Sequence, residues 1–576
     1  MKAEILIILF LLNTVVLFSQ PSALFIAKNL TDFTDAEIIN YIESPSGHIH
    51  YTFIIDSNTQ LSKINLLKSS KSLSLIIDLP IIPKEFYEIK FDSLTSLNID
   101  FKSQLQDLNG IEKFKSLKSL GLTNFYGLEL PSGFSSLSSL TNLYITASNI
   151  ENIDVLIELN NLKSLDIKTD KLKYFPQFKP NNKISTLILS VDSNFTDYSN
   201  ISTLQQLEIL KIDGGNMTKF PTNFGKEILS LSLYNLPNLD DITGLGYYYQ
   251  LKDIFISYTG LKEINGDFSK LSELKRFNFS YNDSLKSLKG ICSLKSLNGI
   301  EISYLPSLIA IDFDMSNCVF KKIELSNLSN LKNINGILSC KTLNSISLNK
   351  TSLEKIPENF EKLENLEGIN ISHNNQLTDI SEIKNMKSLK AIRFYECNNL
   401  TEIPKTFSSN SSLTSVHLQF MKKLVSLNGI GGLEKLRTLY IRSINLDFSL
   451  PNNLQVSKNI EEIIIESVVK DISMIENLNN LKHLSIMYSL SELPESIFSN
   501  SNIEIFELYQ SSITDLTSLA QFKKLKGLHL AHNLNLQKIP DLTNFKYLNV
   551  VVIKNNKRLK IPDSYKNGWD ISNNRN

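Results

Sequence analysis

The sequence predicts an α/β repeat solenoid: a parallel β-sheet in which each strand is followed by an irregular, 3-10 or short helical return segment. Two observations predict this fold, namely an apolar motif that recurs about every 23 residues and a strand-like alternation inside each copy. One strand with one return segment cannot bury its apolar edge alone, so the copies are expected to stack and share a core. The copies begin at Leu94, Leu117, Leu140, Leu162, Ile184, Leu207, Ile228, Leu251, Leu274, Leu297, Phe320, Leu343, Leu366, Leu389, Leu413, Leu436, Ile460, Leu481, Ile503, Leu525 and Leu548.

The strand of each copy is predicted by the pattern L-x-x-L-x-L, whose last two apolar residues are two positions apart. The copy that begins at Leu366 reads Leu-Glu-Gly-Ile-Asn-Ile-Ser-His-Asn. Alternate strand residues point to opposite faces, so the apolar ones are expected in the core and the intervening ones on the other face. Parallel strands lie about 4.8 Å apart, which would align equivalent positions of successive copies in columns.

Two kinds of return segment alternate along the chain. One kind carries a proline followed by a phenylalanine, as in Pro131 with Phe134. Proline fixes one backbone angle, and the phenylalanine can anchor the segment in the core. The other kind carries Asn-Gly-Ile or Asp-Ile, as in Asn335-Gly336-Ile337, where glycine tolerates a positive φ.

These motifs resemble the leucine-rich repeat family, over roughly four-fifths of the chain. The proline copies resemble repeats common in bacterial and plant proteins, and the Asp-Ile copies look like internalin repeats, so the chain resembles a bacterial-type exported member. The resemblance implies a horseshoe with the sheet on its concave face, where partners usually bind. It also implies that an asparagine at position nine bonds to neighbouring loops. Residues Asn282, Asn374, Asn533 and Asn556 occupy that position, and Cys397 is interpreted as a structural substitute there.

Four regions are expected: a signal peptide (1–20), an N-terminal cap with a decayed first repeat (21–93), about 21 leucine-rich repeats (94–558), and a C-terminal cap with a polar tail (559–576). Lys2, the apolar run from Ile5 to Phe18 and Ser19 are typical of a secretory signal peptide. That run is shorter than the roughly 20 residues of a membrane span, although a membrane anchor remains the alternative. We therefore expect a secreted, cell-surface or periplasmic protein without a stable membrane span after signal removal.

Composition narrows the function further. The 59 basic and 59 acidic residues give no net charge that would favour nucleic acid or an anionic membrane. Four cysteines make no disulfide framework; for Cys318 and Cys340, on adjacent copies, two buried thiols are favoured over a disulfide. Phosphate-binding, serine hydrolase and zinc protease motifs are absent from the sequence, so no enzyme, metal site or cofactor is expected.

A binding surface is instead expected on the concave face. Positions seven and eight of three consecutive copies read Ser-Tyr, and the tyrosines are Tyr258, Tyr281 and Tyr304, followed by Asn327 in the next copy. Stacked on adjacent strands about 5 Å apart, they would form a ladder. Tyrosine is enriched at binding surfaces because it combines a large rigid face with a hydroxyl. The alternative is that the rings only stabilise one another across strands.

Position five of the same copies adds Phe255, Asn278, Glu301 and Glu324, and two later copies add His373 and Tyr395. Glu301 and Glu324 would be stacked like charges, which is unfavourable unless a cation intervenes. Lys322 and Arg276 are expected to neutralise them locally. A basic residue of a partner or a divalent ion is a less favoured alternative.

The leading hypothesis is therefore an exported, non-enzymatic protein that binds another protein, of a host or of the cell envelope, through its concave face. The first alternative is a carbohydrate-binding surface protein whose tyrosine ladder stacks on the sugar rings of a glycan. The second is an envelope scaffold without a soluble ligand. Nucleic acid is not an expected partner.

Overall fold

The computed structural model describes residues 24–43, 49–79, 82, 84–91, 93–102, 108–442, 450–468, 472–487, 492–562, 565 and 569–572. The expected signal peptide (1–20) lies outside the described residues. The chain forms two compact units, Met1–Leu236 and Pro237–Asn576. Among these described residues, no helix is both long enough and apolar enough to cross a bilayer.

In the first unit, ten parallel strands pair in chain order. They are β1 (Leu24–Asn29), β2 (Ile49–Ile55), β3 (Ser72–Ile77), β4 (Ser96–Phe101), β5 (Ser119–Thr123), β6 (Asn142–Thr146), β7 (Ser164–Thr169), β8 (Thr186–Val191), β9 (Ile209–Asp213) and β10 (Ser230–Leu236). The stack therefore extends into the region expected to cap it, since β3 already pairs in register with β4, Leu73 opposite Leu97.

In the second unit, the first two strands pair with each other, and thirteen further strands form one parallel sheet. They are β11 (Asp253–Thr259), β12 (Arg276–Asn278), β13 (Gly299–Ser303), β14 (Lys322–Leu328), β15 (Ser345–Thr351), β16 (Gly368–Ser372), β17 (Ala391–Tyr395), β18 (Ser415–Gln419), β19 (Thr438–Arg442), β20 (Glu462–Glu466), β21 (His483–Met487), β22 (Ile505–Tyr509), β23 (Gly527–Ala531), β24 (Val550–Lys554) and β25 (Asp570–Ser572).

The register of these strands follows the repeat period. Ile300 is opposite Ile323, which is opposite Ile346, and all three are buried. Residues between the buried ones lie on the other side of the sheet, which we call the outward face. Equivalent copies therefore stack as the sequence predicts, and each strand contributes three residues to the outward face.

The return segments are mostly single 3-10 turns. Phe134, Phe360 and Phe407, expected as anchors, lie in such turns with at most 1% of their surface exposed. The turns span Leu30–Asp32, Leu66–Ser69, Ile111–Lys113, Ser132–Ser136, Asp154–Glu158, Ser199–Thr203, Thr243–Tyr247, Lys289–Ser293, Asn335–Ser339, Phe360–Lys362, Lys405–Ser409, Leu454–Val456, Ser473–Ile475, Thr517–Gln521 and Leu542–Asn544.

Four short α-helices complete the secondary structure of the described residues: α1 (Asp35–Glu43), α2 (Leu61–Asn65), α3 (Lys84–Glu88) and α4 (Glu495–Phe498). At the start of α1, the backbone N–H of Thr34 donates to Glu37 Oε2 (2.7 Å), and the N–H of Glu37 donates to Thr34 Oγ1 (3.2 Å). This reciprocal pair is a capping box, which satisfies donors that the first turn leaves free.

Position nine behaves as the family resemblance implies. Asn374 is 1% exposed; its Nδ2 donates to the carbonyl of Leu348, and its Oδ1 accepts from the N–H of Thr351 (2.8 and 2.9 Å). Asn282 makes the equivalent bonds in an earlier copy: its Nδ2 donates to the carbonyl of Ile256, and its Oδ1 accepts from the N–H of Thr259. Cys397 fills the same position with a weak contact from Sγ to the carbonyl of Ile371 (3.6 Å). Each asparagine thus joins two consecutive copies.

The cysteines differ from the expectation. Cys318 forms a disulfide with Cys292, not with Cys340, and it is not a free thiol. Cys340 is free and buried, as is Cys397. Cys292 lies in the 3-10 turn Lys289–Ser293, so the disulfide joins one return segment to the next. The expectation of a buried thiol is therefore wrong for Cys318 and right for Cys340. The repeat period did not reveal the pairing with Cys292 because it tracks the strands, whereas this bond depends on the path of the return segments.

Candidate functional site

In thirteen of the described copies the residue at the eighth position, at the end of the outward strand residues, has a left-handed backbone conformation, whereas Ala147, Thr169, Val191 and Ser467 hold the same position without a positive φ. We call this position in those thirteen copies the αL slot. It is occupied, with φ between 51° and 61°, by Asn124, Asn235, Tyr258, Tyr281, Tyr304, Asn327, Lys350, His373, Glu396, Phe420, Gln510, His532 and Asn555. Left-handed backbone is uncommon outside glycine and asparagine, so the fold imposes this conformation on whatever residue the slot holds.

The slot also continues the hydrogen-bonded ladder of the sheet. The N–H of Tyr258 donates to the carbonyl of Tyr281 (2.9 Å), and the N–H of Tyr281 donates to the carbonyl of Tyr304 (3.1 Å). These bonds fix the three backbones one above another. The sequence places the tyrosines among the strand residues; the structure places them at the rim where the strands end.

The three tyrosine rings form a stack. The rings of Tyr258 and Tyr281 have centroids 5.4 Å apart and planes inclined by 21°, and the pair Tyr281–Tyr304 has 4.3 Å and 12°. Tyr258 is 50% exposed and Tyr304 41% exposed. Burial and the neighbouring Tyr304 hydroxyl raise the pKa of Tyr281 to about 12, which keeps that hydroxyl a neutral donor. The stack presents a rigid, largely apolar edge with three hydroxyls.

Asn327 occupies the slot after Tyr304. Its φ of 53° is that of Tyr304, and its Nδ2 donates to the hydroxyl of Ser326 (3.0 Å). It therefore ends the aromatic stack with a short polar side chain on the same backbone geometry.

Beside this stack, Phe255 and Asn278 are register partners on β11 and β12. The guanidinium of Arg276 lies 5.4 Å from the centre of the Phe255 ring, and its Nε donates to Asp253 Oδ1 (2.5 Å). Cation–π contacts of this kind favour a fixed arginine over an aromatic face. Arg276 therefore contacts Phe255 and Asp253, and it does not neutralise Glu301 and Glu324 as expected from the sequence.

Glu301 and Glu324 are opposite each other on β13 and β14, as the repeat predicts. Lys322 Nζ forms an ion pair with Glu324 Oε1, which agrees with the local neutralisation expected for that residue. Glu301 is exposed, and its Oε1 accepts only a long bond from Ser303 (3.4 Å). In the parts of the chain with described coordinates, no group of three His, Cys, Asp or Glu side chains suits a metal ion.

His373 and Tyr395 form a second cluster three copies beyond Tyr304. Their rings meet edge to face with centroids 5.1 Å apart, and His373 Nδ1 lies 3.1 Å from Glu396 Oε2. Tyr395 also meets Phe420 edge to face (5.2 Å), and Arg442 lies over Phe420 (5.1 Å). The ten expected residues therefore fall into a stack, a neighbouring column of strand residues and this separate cluster, all in the second unit.

No protein-family model matches the chain. It is 24% identical over 573 residues to an adenylate cyclase of Schizosaccharomyces pombe, covering 94% of this chain and 30% of that protein. It is 26% identical over 148 residues to the volume-regulated anion channel subunit LRRC8D of Rattus norvegicus, covering 24% of this chain and 17% of that subunit. The chain thus spans less than a third of the length of either relative.

Solved structures are similar at low identity. The TLR13–ssRNA13 complex has 17% identity and a TM-score of 0.39, covering 87% of this chain and 81% of that one. The functional domain of InlJ from Listeria monocytogenes has 16% identity and a TM-score of 0.34, covering 71% and 76%. The decisive observation lies in the chain itself, whose L-x-x-L-x-L copies stack in parallel register and are joined by buried position-nine asparagines. The protein is a leucine-rich repeat solenoid.

Two features of the solenoid escaped the sequence analysis. The first is a row of histidines and glutamates on β20 to β23: Glu462 Oε1 lies 2.8 Å from His483 Nδ1, and Glu507 Oε1 lies 2.8 Å from His529 Nδ1. His483 Nε2 lies 3.7 Å from Glu507 Oε2, within ion-pair range but too far for a hydrogen bond. Their alternation at the outward positions of adjacent copies was the available signal.

The second missed feature is a depression of about 280 Å³ on the outward face across β15 to β18. It lies where Gly368 and Ala391 hold the third position of their copies, and Arg393 and His417 border it. Small residues at outward positions were the signal in the sequence.

Proposed function

We propose that this solenoid is an exported, non-enzymatic protein that binds another protein through the outward face of its second unit. The observation that carries the proposal is the exposed stack of Tyr258, Tyr281 and Tyr304 at three consecutive αL slots. Rigid aromatic side chains with hydroxyl tips provide contact area at a low entropic cost and are enriched among the residues that dominate binding energy.

The backbone of the slot supports a role in binding. A bulky residue in left-handed conformation costs about 1–2 kcal/mol, whereas asparagine tolerates it. Asn235 and Asn327 hold the slots on either side of the tyrosines with the same φ. The tyrosines are thus not the residues that the local conformation favours. Strained positions that persist are concentrated at ligand-binding sites, which is the reason for assigning the stack to a contact surface.

A glycan ligand is less favoured by the geometry. Sugar rings would need a free aromatic face, but one face of Tyr281 is covered by Tyr258 and the other by Tyr304. What the stack offers is mainly ring edges and hydroxyls, which suit hydrogen bonds and apolar contacts from protein side chains.

Export is supported by two features. The first is the Lys2–Ser19 sequence pattern described above. The second is the disulfide between Cys292 and Cys318, because disulfides persist in oxidising compartments and are rare in the cytosol of mesophiles. Fractionation of the producing cell tests this part: recovery of the protein in the cytosol with its leader intact would contradict it.

The binding proposal is tested with the triple variant Tyr258→Asn, Tyr281→Asn, Tyr304→Asn. Asparagine is chosen because it already occupies neighbouring slots, so the coil should keep its conformation. The double variant Gln510→Asn, His532→Asn is the matched control, since it makes the same exchange in two slots elsewhere in the unit. Partners are captured on immobilised wild-type protein from envelope or host extract, and their affinity is measured by calorimetry.

The expected result is a protein partner that the wild type and the control bind equally and the triple variant binds at least 100-fold more weakly, with unchanged circular dichroism. Retention of full affinity by the folded triple variant would show that the stack is not the site. If the partner proved to be a glycan, the carbohydrate hypothesis would replace the proposal.

A further inference from the structure

A stretch of the outward face in the second unit carries no acidic side chain. Each of the strands β15 to β19 places three residues on this face, and none of them is aspartate or glutamate. Acidic residues occur on both sides of the stretch, with Glu301 and Glu324 before it and Glu462 and Glu466 after it. We call this stretch the acid-free window.

The window contains two cationic or titratable nitrogen groups at adjacent register positions, Arg393 on β17 and His417 on β18, and a third, Arg442 on β19, which is paired with Glu466. Arg393 is exposed, and in the described coordinates no carboxylate lies within ion-pair distance of it. The other arginines on the outward face form ion pairs: Arg276 with Asp253, and Arg442 with Glu466 (3.0 Å). Arg393 is therefore an uncompensated charge at the centre of the window.

Burial lowers the pKa of His417, and the charge of Arg393 lowers it further, while Glu462 acts weakly in the opposite sense. The unpaired guanidinium of Arg393 creates a positive potential at this part of the face that an anion would relieve. Glu396, a carboxylate at the rim in the same copy as Arg393, is bonded to His373. Glu367, at the edge of the sheet, is paired with Lys390 (2.7 Å).

The shape of the surface matches this charge. The depression of about 280 Å³ lies beside Arg393 and His417 because Ser345, Gly368, Ala391 and Ser415 leave the column at position three without long side chains. Four small residues in succession would not by themselves make a site. Here they open the space in front of a guanidinium and an imidazole.

Asn370 supplies an independent sign of a missing ligand. It lines the depression, and its Oδ1 is buried without a hydrogen-bond partner, whereas its Nδ2 donates to Ser347 Oγ (3.3 Å). A buried polar atom without a partner costs roughly 1–3 kcal/mol. Rotating the amide by 180° would exchange the positions of Oδ1 and Nδ2 and let Oδ1 accept from Ser347, so Asn370 lacks one hydrogen bond in either orientation.

We propose that this depression binds the carboxylate of an acidic side chain of a protein ligand, held by the guanidinium of Arg393 with His417 and Asn370 as flanking donors. Arginine suits this role because its planar donors match a carboxylate in a two-point contact. The site is distinct from the tyrosine stack. It rests on the proposed function only in using the same face for a protein ligand.

The probe is an acetylated, amidated hexaglutamate peptide, titrated by calorimetry into the full-length protein at low ionic strength, with hexaglutamine as the uncharged comparison. Arg393→Gln and His417→Gln are the test variants. Arg437→Gln is the matched control, because Arg437 directly precedes β19, is not one of its outward residues and is already paired with Glu461. The triple tyrosine variant is included to separate this site from the stack.

The expected result is binding of hexaglutamate but not of hexaglutamine, at least 10-fold weaker in Arg393→Gln, several-fold weaker in His417→Gln and within twofold in Arg437→Gln. The triple tyrosine variant should bind the peptide normally, so loss of partner capture with retained peptide binding would separate the two proposals. No binding to the wild type, or equal losses in Arg393→Gln and Arg437→Gln, would overturn the site. Inorganic phosphate and the dicarboxylate glutarate are then compared as competitors of bound hexaglutamate. If phosphate displaces the peptide as effectively as glutarate does, the assignment of the site to carboxylates is overturned.

Discussion

The rings of Tyr281 and Tyr304 lie nearly parallel with centroids 4.3 Å apart, closer than those of Tyr281 and Tyr258 at 5.4 Å. Their backbones are joined by a bond from the N–H of Tyr281 to the carbonyl of Tyr304. The two rings therefore stabilise each other whether or not a ligand is bound, and the strength of that coupling is measurable.

We expect a double-mutant cycle on Tyr281→Asn and Tyr304→Asn to give a coupling energy of about 0.5–1.5 kcal/mol, the range for paired aromatic rings. The cycle on Tyr258 and Tyr281 should give less because that pair is more widely spaced. Urea denaturation of the full chain provides the measurement. Additive losses in both cycles would mean that the rings are held by the backbone alone.

Asp166 on β7 should make the first unit less stable as the pH rises. Its register partners are Tyr144 and Ile188, and burial raises the pKa of its carboxyl to about 6 despite the charge of Lys211. A carboxyl with a raised pKa favours the folded state at low pH, and that stability is lost between its ordinary value near 3.8 and about 6.

We therefore expect Asp166→Asn to stabilise the protein at pH 7 by up to about 2–3 kcal/mol and to have little effect at pH 3.5. Thermal melts between these pH values provide the test. Asp170→Asn, at an exposed carboxylate of the same unit, is the control for the removal of a carboxylate from the surface. A constant difference across the pH range would disprove the assignment.

The row of His483 and Glu507 should be most stabilising at mildly acidic pH. Burial lowers the pKa of His483, but Glu507 and Glu462 outweigh it and raise the pKa above the ordinary value. The neighbouring imidazole of His483 in turn lowers the pKa of Glu507, against an opposing effect of burial. The contribution of the histidine is lost as the pH rises through its raised pKa, and that of the glutamate is lost as the pH falls.

His483→Gln should therefore destabilise the protein by about 1–2 kcal/mol near pH 6, the value of a hydrogen bond to a charged group, and by much less at pH 9. Urea denaturation at the two pH values checks this. His417→Gln is the control, and its effect should have the opposite pH dependence. The lowered pKa of His417 makes the folded wild type less stable as the pH falls, so removing this histidine should be least costly at low pH. The same trend in both variants would refute the ion-pair explanation.

The position-nine asparagines should carry more stability than their small size suggests. Replacing Asn374 by alanine removes the acceptor of Thr351 and the donor to Leu348, and it leaves buried backbone groups without partners. We expect a loss of about 2–4 kcal/mol, measured by urea denaturation. Cys397→Ala, at the same position of the next copy, should cost less than half as much. Equal losses would show that the cavity, not the bonding, sets the cost.

The disulfide closes a segment of 26 residues between Cys292 and Cys318. Loop-closure entropy predicts that the variant with both cysteines replaced by alanine loses roughly 3 kcal/mol and no longer responds to reductant. Peptide mapping without reduction should recover the 292–318 cross-link and leave Cys340 as a thiol. A cross-link between 318 and 340 would contradict the structure.

Most of the fold was predictable because one period governs it. The copy at Leu366 forms β16 with Ile369 and Ile371 in the core, as its alternation indicates. The stacking of Glu301 on Glu324 followed from the same period. Any property that depends only on which copy and which position a residue occupies is readable from the sequence in this way.

Properties that depend on side-chain reach or on missing volume were not predictable. Arg276 pairs with its register partner Asp253 and not with Glu301 or Glu324, a choice between neighbouring carboxylates that the period does not make. The depression beside Arg393 exists because Gly368 and Ala391 have small side chains. Motifs in a sequence are recognised by their functional groups, and a depression formed by small side chains has no such motif. The left-handed backbone of Tyr258 was missed because tyrosine rarely adopts it.

The αL slot has an evolutionary consequence. Its backbone N–H bonds to the following copy whether the side chain belongs to Tyr258, His373 or Phe420. A mutation there changes what the rim displays without altering the amide that secures it. New binding specificities can therefore arise through single substitutions at these positions. The same positions can be substituted by design to change the surface of the rim while the backbone is kept.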